Sequence, residues 1–189
     1  MTLQPRTSLP KQASLGWERQ QKNRHEFYDG EIFAMTGASR AHNLLCGNTF
    51  SALHAQLRGT PCEVYNSDMR VKVSETGMYT YPDIVAACAE PQFEDAEVDT
   101  LLNPVLIIEV LSDSTEQYDR GAKFRHYRTL PSLQDYLLVA QTECRVEHYV
   151  REPGGRWLLT EYWGLDDTID LTAVGCRLHL REMYERVPL

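Results

Sequence analysis

The sequence predicts an α/β fold of the α+β kind, in which helices pack on a central mixed β-sheet. Two apolar runs, residues 82–88 and 104–111, have the length and composition of strands at the buried centre of a sheet. Helix signals flank these runs, over residues 39–58 and 114–130. A chain that alternates in this way buries its apolar faces by layering helices on a sheet.

The elements before the apolar runs follow from local signals. Residues 1–13 carry two prolines and little apolar content, which predicts a mobile leader ahead of one domain over residues 14–189. A short helix is expected at about residues 15–24, and Asp29-Gly30 is a strong turn signal inside a hairpin. Ser39 is the expected N-cap of the long helix, and two strands follow it over residues 63–66 and 68–73.

The remaining elements are predicted in the same way. Five acidic residues between 90 and 103 favour an exposed loop. Ser114 and Gln117 fit a capping box at the start of a helix that ends before Pro131. Strands are then expected over residues 135–140, 144–150 and 157–163, followed by a short strand and a helical turn at 180–186.

Composition limits the class of protein. Apolar residues make up 42% of the chain, enough for a real core, but no run approaches the length of a membrane span. The N-terminus lacks the apolar stretch of a secretory signal, so a cytoplasmic location is expected. The five cysteines are dispersed singly, which favours reduced thiols and argues against a disulfide framework or a zinc site.

The net charge of −8 counts against a nucleic-acid ligand, because phosphate binding relies on lysine and arginine. A site that holds metal ions with carboxylates is, however, locally acidic until the metal binds. Net charge therefore does not exclude such a site.

Two carboxylates occur in the apolar runs, where burial makes a charged group energetically unfavourable. Glu109 interrupts the second apolar run, and Asp83 opens the first. A carboxylate removed from water needs a cation, a metal or a strong hydrogen-bond donor. Two such acids on adjacent strands can share one divalent ion. The alternatives are a Glu109 on a solvated face paired with an arginine, and an Asp83 that serves as a turn residue after Pro82.

Lys123 lies in the helix that follows the Glu109 strand, within the most basic stretch of the chain. It can reach over the sheet to orient a water or to stabilise charge that develops on phosphorus. The alternative is a solvated helix face on which Lys123 lies beside Arg120, Arg125 and Arg128.

An ordered set of short motifs resembles a known family. The Pro82-Asp83 pair followed by the Glu109 strand is similar to the PD-(D/E)XK signature of restriction-endonuclease-like proteins, and the wider pattern resembles the Uma-two family of endonuclease-like proteins. The matching motifs, spread over roughly residues 25–160, are Tyr28-Asp29-Gly30-Glu31, Ser39-Arg40-Ala41-His42-Asn43, Tyr81-Pro82-Asp83-Ile84-Val85, Ile108-Glu109-Val110-Leu111-Ser112, the run from Asp119 to Tyr127 and the run from Gln134 to Val139.

The resemblance implies a restriction-endonuclease-like core with Asp83 and Glu109 as ligands of Mg²⁺ or Mn²⁺. The superfamily pattern expects a lysine two residues after the second acid, where this chain has Leu111. The Uma-two pattern instead carries a lysine in the next helix, at the position of Lys123. Glu31 and His42 match motif positions near the N-terminus, as supporting groups or a further ligand, although His42 is equally compatible with a capping or core histidine.

The leading functional hypothesis is metal-dependent hydrolysis of phosphodiester bonds in DNA, with Asp83 and Glu109 holding the metal and Lys123 assisting. The alternative is a nuclease-fold module that binds nucleic acid or regulates, with little turnover. A glycoside hydrolase with paired carboxylates is a third reading, which nothing else in the sequence supports. No membrane partner is expected, and a homodimer stays open.

Overall fold

The computed structural model describes residues 11–35, 37–113 and 115–189. The larger of its two main sheets has six strands in the order β11-β10-β9-β8-β6-β3. These strands are β3 (Cys62–Asn66), β6 (Ile84–Cys88), β8 (Leu106–Val110), β9 (Asp135–Val139), β10 (Val146–Arg151) and β11 (Trp157–Tyr162). The β8–β9 pair is parallel and the other pairs are antiparallel, so the sheet is mixed, as predicted.

A second sheet has five strands in the order β2-β1-β5-β4-β7. They are β1 (His25–Tyr28), β2 (Glu31–Ala34), β4 (Arg70–Val73), β5 (Met78–Thr80) and β7 (Thr100–Leu101). β1 and β2 form the expected hairpin, and Asp29 and Gly30 at its turn both have positive φ. Near the end of the predicted exposed loop, β7 is instead buried, because it pairs in parallel with β4, so the prediction of exposure is wrong for these two residues. A two-stranded sheet, β12 (Thr168–Leu171) and β13 (Cys176–His179), lies near the C-terminus.

The helices are α1 (Lys11–Glu18), α2 (Arg40–Leu57), α3 (Glu116–Tyr118), α4 (Phe124–Tyr127) and α5 (Leu180–Met183). A π-helical segment, Asp119–Lys123, joins α3 to α4, so residues 116–127 form one helical stretch, here named the site helix. None of the helices in the part of the chain that the structure describes is long and apolar enough to cross a membrane.

The two apolar runs lie at the centre of the larger sheet, where all five residues of β8 are buried. Alternate residues face opposite sides, because successive side chains of a strand point to opposite faces. Ile108 and Ile84 pack in the core cluster that includes residues of α2. Ile107 and Val85 pack in a second cluster, together with Phe124 of the site helix. The sheet is therefore covered on both faces, which explains why its central strands are mostly apolar and why the buried Glu109 is an exception.

Three local predictions differ from the structure or fall outside it. The first helix begins at Lys11 and ends at Glu18, earlier than the predicted residues 15–24. Residues 11–13 of the predicted leader over residues 1–13 are therefore helical, and residues 1–10 lie outside the described residues. Ser114, the predicted N-cap, also lies outside them. The helix that it was expected to start contains the π-helical segment, and Lys123 belongs to that segment.

The expectation of five reduced thiols is wrong for one pair, because Cys62 and Cys88 form a disulfide. The two residues are 26 positions apart in the chain but directly opposite each other in the antiparallel β3–β6 pair. Cross-strand partners bring their Cβ atoms close enough for this bond. The spacing of the cysteines in the sequence does not predict this pairing of the two strands.

Candidate functional site

The candidate site lies where β8, the hairpin strand β1 and the site helix meet. The register of β6 against β8 pairs Ile84 with Ile108, so the next step along it sets Asp83 opposite Glu109. Directly opposed residues of an antiparallel pair point to the same face of the sheet. Asp83 Oδ2 also accepts a hydrogen bond of 2.8 Å from the backbone N–H of Val110. Asp83 is therefore anchored beside the Glu109 strand, on the same face as Glu109.

Lys123 reaches this cluster from the site helix. Its Nζ atom lies 2.9 Å from Glu109 Oε1, 3.0 Å from Glu26 Oε1 and 3.5 Å from Asp119 Oδ1. Lys123 is only 5% exposed, and Glu109 and Asp119 are each 4% exposed. The ammonium group thus lies inside the protein among three carboxylates. The alternative of a solvated Lys123 on a basic helix face is wrong.

Two hydroxyl groups complete the buried part of the site. The Tyr127 hydroxyl donates a hydrogen bond of 2.8 Å to Glu109 Oε1. Thr80 Oγ1 donates one of 2.5 Å to Glu26 Oε1 and lies 3.1 Å from the Tyr127 hydroxyl. Glu26 and Glu109 are thereby held by donors from the five-stranded sheet and from the site helix, which fixes the position of both acids.

His42 forms the more accessible edge of the site. It lies in the first turn of α2, where Ser39 caps the helix by accepting a hydrogen bond from the His42 N–H. Its Nε2 atom lies 3.2 Å from Asp83 Oδ2, and its Nδ1 atom lies 3.4 Å from Cys46 Sγ. Burial lowers the pKa of His42, but the Asp83 carboxylate outweighs burial and leaves this pKa above its usual value.

Charge in the site is unbalanced. Among the described residues of the cluster, four carboxylates, those of Glu26, Asp83, Glu109 and Asp119, accompany the single lysine Lys123. Burial raises the pKa of Glu109 well above its ordinary value, against the lowering effect of Lys123, and the neighbouring acids raise it further. Burial lowers the pKa of Lys123, yet the acids outweigh burial and hold that pKa well above its usual value. The cluster therefore favours an additional positive charge.

The structure brings four of the five predicted residues together and excludes one. Asp83, Glu109, Lys123 and His42 share the site. Glu31 is exposed at the start of β2, which is the outermost strand of its sheet. The hairpin residue that contacts Lys123 is Glu26, because its strand β1 lies between β2 and β5. Glu31, predicted as a supporting group, therefore lies outside the cluster, and Glu26 is the hairpin acid that contacts Lys123.

The sequence did not identify Asp119 as a residue of the cluster, because a carboxylate four residues before Lys123 has the spacing of an ordinary surface pair on a helix. Both side chains are instead buried within the π-helical segment. Such segments inside α-helices occur frequently at functional sites. The sequence does not indicate that these two side chains are buried, because the formation of a π-helical turn depends on packing. For Glu26 there was a weak signal, namely a charged residue directly before the aromatic residues Phe27 and Tyr28 in the predicted hairpin.

Comparisons with known proteins agree with this architecture. A crystal structure described as "a putative nuclease belonging to DUF820" from Anabaena variabilis is similar to this chain with a TM-score of 0.73 and 14% identity. It covers 89% of this chain, and the match spans 93% of that chain. At this identity the likeness shows the fold, which is the mixed-sheet nuclease fold.

Two uncharacterised proteins of Synechocystis sp. are similar in sequence. One is 36% identical over 180 residues, which is 95% of this chain and 93% of the relative. The other is 41% identical over 155 residues, 82% of this chain and 88% of the relative. The model of the Uma2 family, described as "Putative restriction endonuclease", matches residues 12–181. Because that match spans nearly the whole chain, this protein belongs to the Uma2 family of restriction-endonuclease-like nucleases.

Proposed function

We propose that this protein is a divalent-metal-dependent endonuclease that hydrolyses phosphodiester bonds in DNA at Asp83, Glu109 and Lys123. One observation carries the proposal, the excess of buried carboxylates over lysine in the cluster. Buried acids that lack a counter-charge are costly, so a fold that gathers them has a use for a cation. Family membership supports nuclease chemistry, and the choice of DNA is part of the proposal.

The residues present fit Mg²⁺ or Mn²⁺. Both ions prefer oxygen ligands, and Mg²⁺ is usually bound through one or two carboxylates, with waters and phosphate oxygens filling the remaining positions. Asp83 and Glu109 would hold it, because they face each other across β6 and β8. When bound, the ion supplies a water of lowered pKa and neutralises charge on the phosphate.

Lys123 would act on the same phosphate. A lysine two residues after Glu109 would come from the strand itself, but that position is occupied by Leu111, which is buried in the apolar core. Lys123 brings an ammonium group to within 2.9 Å of Glu109 from the site helix instead. Glu26 and Asp119 hold the ammonium in place, and Tyr127 holds Glu109. A fixed positive charge next to the metal ligands stabilises the negative charge that develops in the transition state.

The test is a cleavage assay on supercoiled plasmid and oligonucleotide DNA with Mg²⁺, with Mn²⁺ and with a chelator. Asp83→Asn and Glu109→Gln each remove a negative ligand at nearly constant volume, and each is expected to abolish metal-dependent cleavage while the fold persists. Glu31→Gln is the matched control, since it neutralises an exposed acid outside the cluster. Full cleavage by both site variants would refute the proposal.

A nuclease-fold module with little turnover is the second candidate. The ion pair between Lys123 and Glu109, reinforced by Tyr127, favours it, because both groups are already satisfied without a metal. Calorimetric binding of Mn²⁺ and DNA by the wild type, with no cleavage under any condition, would assign the protein to this class.

A further inference from the structure

A second set of metal-binding atoms lies at the accessible edge of the site. His42, Cys46 and Asp83 each offer one donor atom, and these three atoms lie within 4.8 Å of one another. Among the described residues, Asp83 is the only acid of this set, and Glu109 does not belong to it. The donors are an imidazole nitrogen, a thiol sulfur and a carboxylate oxygen, which differs from the all-oxygen pair of Asp83 and Glu109.

The arrangement follows from the helix that carries two of the donors. His42 and Cys46 are four residues apart in α2, so their side chains lie one above the other on the same face. The same spacing places two histidines on one zinc ion in helical metal sites. Asp83 meets this face from the start of β6, with its carboxylate held by the Val110 N–H. His42 and Cys46 are thus positioned by a helix, and Asp83 is positioned by its hydrogen bond to the backbone of β8.

We propose that His42, Cys46 and Asp83 form a site for a borderline transition metal, with Zn²⁺ as the natural occupant. Nitrogen, sulfur and carboxylate ligands are those that zinc takes in proteins, and three protein ligands leave a fourth position for water. Mg²⁺ is a poor competitor here, because thiolate and imidazole favour softer ions than oxygen ligands do. On binding, the Cys46 thiol releases its proton to solvent and the thiolate sulfur binds the metal.

Accessibility separates this set from the buried part of the site. The side chains of His42 and Asp83 are 17% and 13% exposed, against 6% for Lys123. An ion can therefore reach the set without displacing the Lys123–Glu109 pair. The sequence argued against a zinc site because its cysteines are dispersed, but a single cysteine suffices when the fold supplies the other ligands.

Asp83 belongs to both sets, and this has a consequence that rests on the proposed function. Zinc bound through Asp83 removes that carboxylate from the pair that would hold Mg²⁺. Zinc is therefore expected to inhibit DNA cleavage by competing with the hydrolytic ion.

The experiment is a titration of the purified protein with Co²⁺, which replaces zinc and gives a sulfur-to-cobalt charge-transfer band in the near ultraviolet when a thiolate binds it. The wild type should show the band and bind one equivalent, and Zn²⁺ should displace the cobalt. Cys46→Ser should lose the band, and the affinity for Zn²⁺ measured by calorimetry should fall at least about tenfold in Cys46→Ser and in His42→Gln.

Two further variants make the outcome specific. Cys144→Ser, which changes another half-exposed free cysteine, should keep the band. Glu109→Gln, which removes a ligand of the proposed hydrolytic ion, should keep it too. Circular dichroism verifies that each variant is folded. A wild type without the band, or a band that survives Cys46→Ser, overturns the zinc site whether or not the protein cleaves DNA. A band that depends on Cys46 in a protein that cleaves no DNA supports the zinc site and refutes only the proposed function.

Discussion

Replacing Lys123 with methionine tests the central electrostatic feature of this protein. Methionine keeps much of the length of the side chain and removes the ammonium group. Glu109, Glu26 and Asp119 then remain buried without their shared cation, which lay 2.9, 3.0 and 3.5 Å away. Removing one partner of a buried ion pair typically costs about 3–5 kcal/mol. We expect the free energy of unfolding of Lys123→Met to fall by about that amount at pH 8.

The loss should shrink as the pH falls. The pKa of Glu109 is already raised by burial, and removing Lys123 takes away the group that lowers it most. A group whose pKa is higher in the folded state stabilises the fold fully below its unfolded pKa, and that contribution is lost as the pH rises through the folded pKa. Lys123→Met should therefore recover stability on acidification, by up to about 1.4 kcal/mol per pH unit while Glu109 takes up its proton.

The assay is urea denaturation followed by circular dichroism at pH 8 and pH 5.5. Lys72→Met is the matched control, because Lys72 forms an ion pair with Glu94 in which both side chains are about one-fifth exposed. Its loss should be at most about 1 kcal/mol. The double variant Lys123→Met/Glu109→Gln should be more stable than Lys123→Met at pH 8. A Lys123→Met protein within about 0.5 kcal/mol of the wild type at both pH values would show that the buried charges do not depend on Lys123.

Three further predictions concern stability. Tyr127→Phe removes the hydrogen bond to the buried Glu109 carboxylate and should cost about 1.5–3 kcal/mol in urea denaturation. Replacing both Cys62 and Cys88 with serine should lower the free energy of unfolding by about 2–4 kcal/mol under oxidising conditions. Added reductant should lower the stability of the wild type by the same amount and leave that of the variant unchanged. The hydrogen bond from Arg19 lowers the pKa of Asp99 to about 2, so this carboxylate stabilises the fold above its unfolded pKa and the effect disappears as the pH falls through about 2. Asp99→Asn should therefore lower the unfolding free energy by about 0.5–1 kcal/mol at pH 7 and by nothing below pH 2, and an equal loss at both pH values would contradict the assignment.

Much of the fold was predictable because it depends on local patterns. The apolar runs at residues 82–88 and 104–111 could only be stable at the centre of a covered sheet, and they became β6 and β8. The Asp29-Gly30 turn specified the hairpin, because few residues tolerate the positive φ that it requires. The capping position of Ser39 marked the start of α2. These signals act over a few residues, so a single sequence contains them.

Part of the candidate site was also visible in the sequence. The sequence identified Glu109 because a charge inside an apolar strand needs a partner. It identified Asp83 because this acid lies at the beginning of the other apolar run. Lys123 was predicted as the cation of the site because it lies in the helix that follows β8. Each of these inferences used only the pattern of one strand or helix, or the family motif that contains it.

The other site residues were decided by tertiary structure alone. Glu26 rather than Glu31 joins the cluster because β1 lies inside its sheet and β2 lies at the edge, a strand order that no local pattern encodes. Cys62 meets Cys88 through the register of two strands, and Cys46 lies near Asp83 because α2 packs on one face of the larger sheet. The sequence by itself determined which residues had to leave water and which charges needed partners. Only packing between distant segments decided which partners they found, because those contacts depend on the relative positions of whole strands and helices.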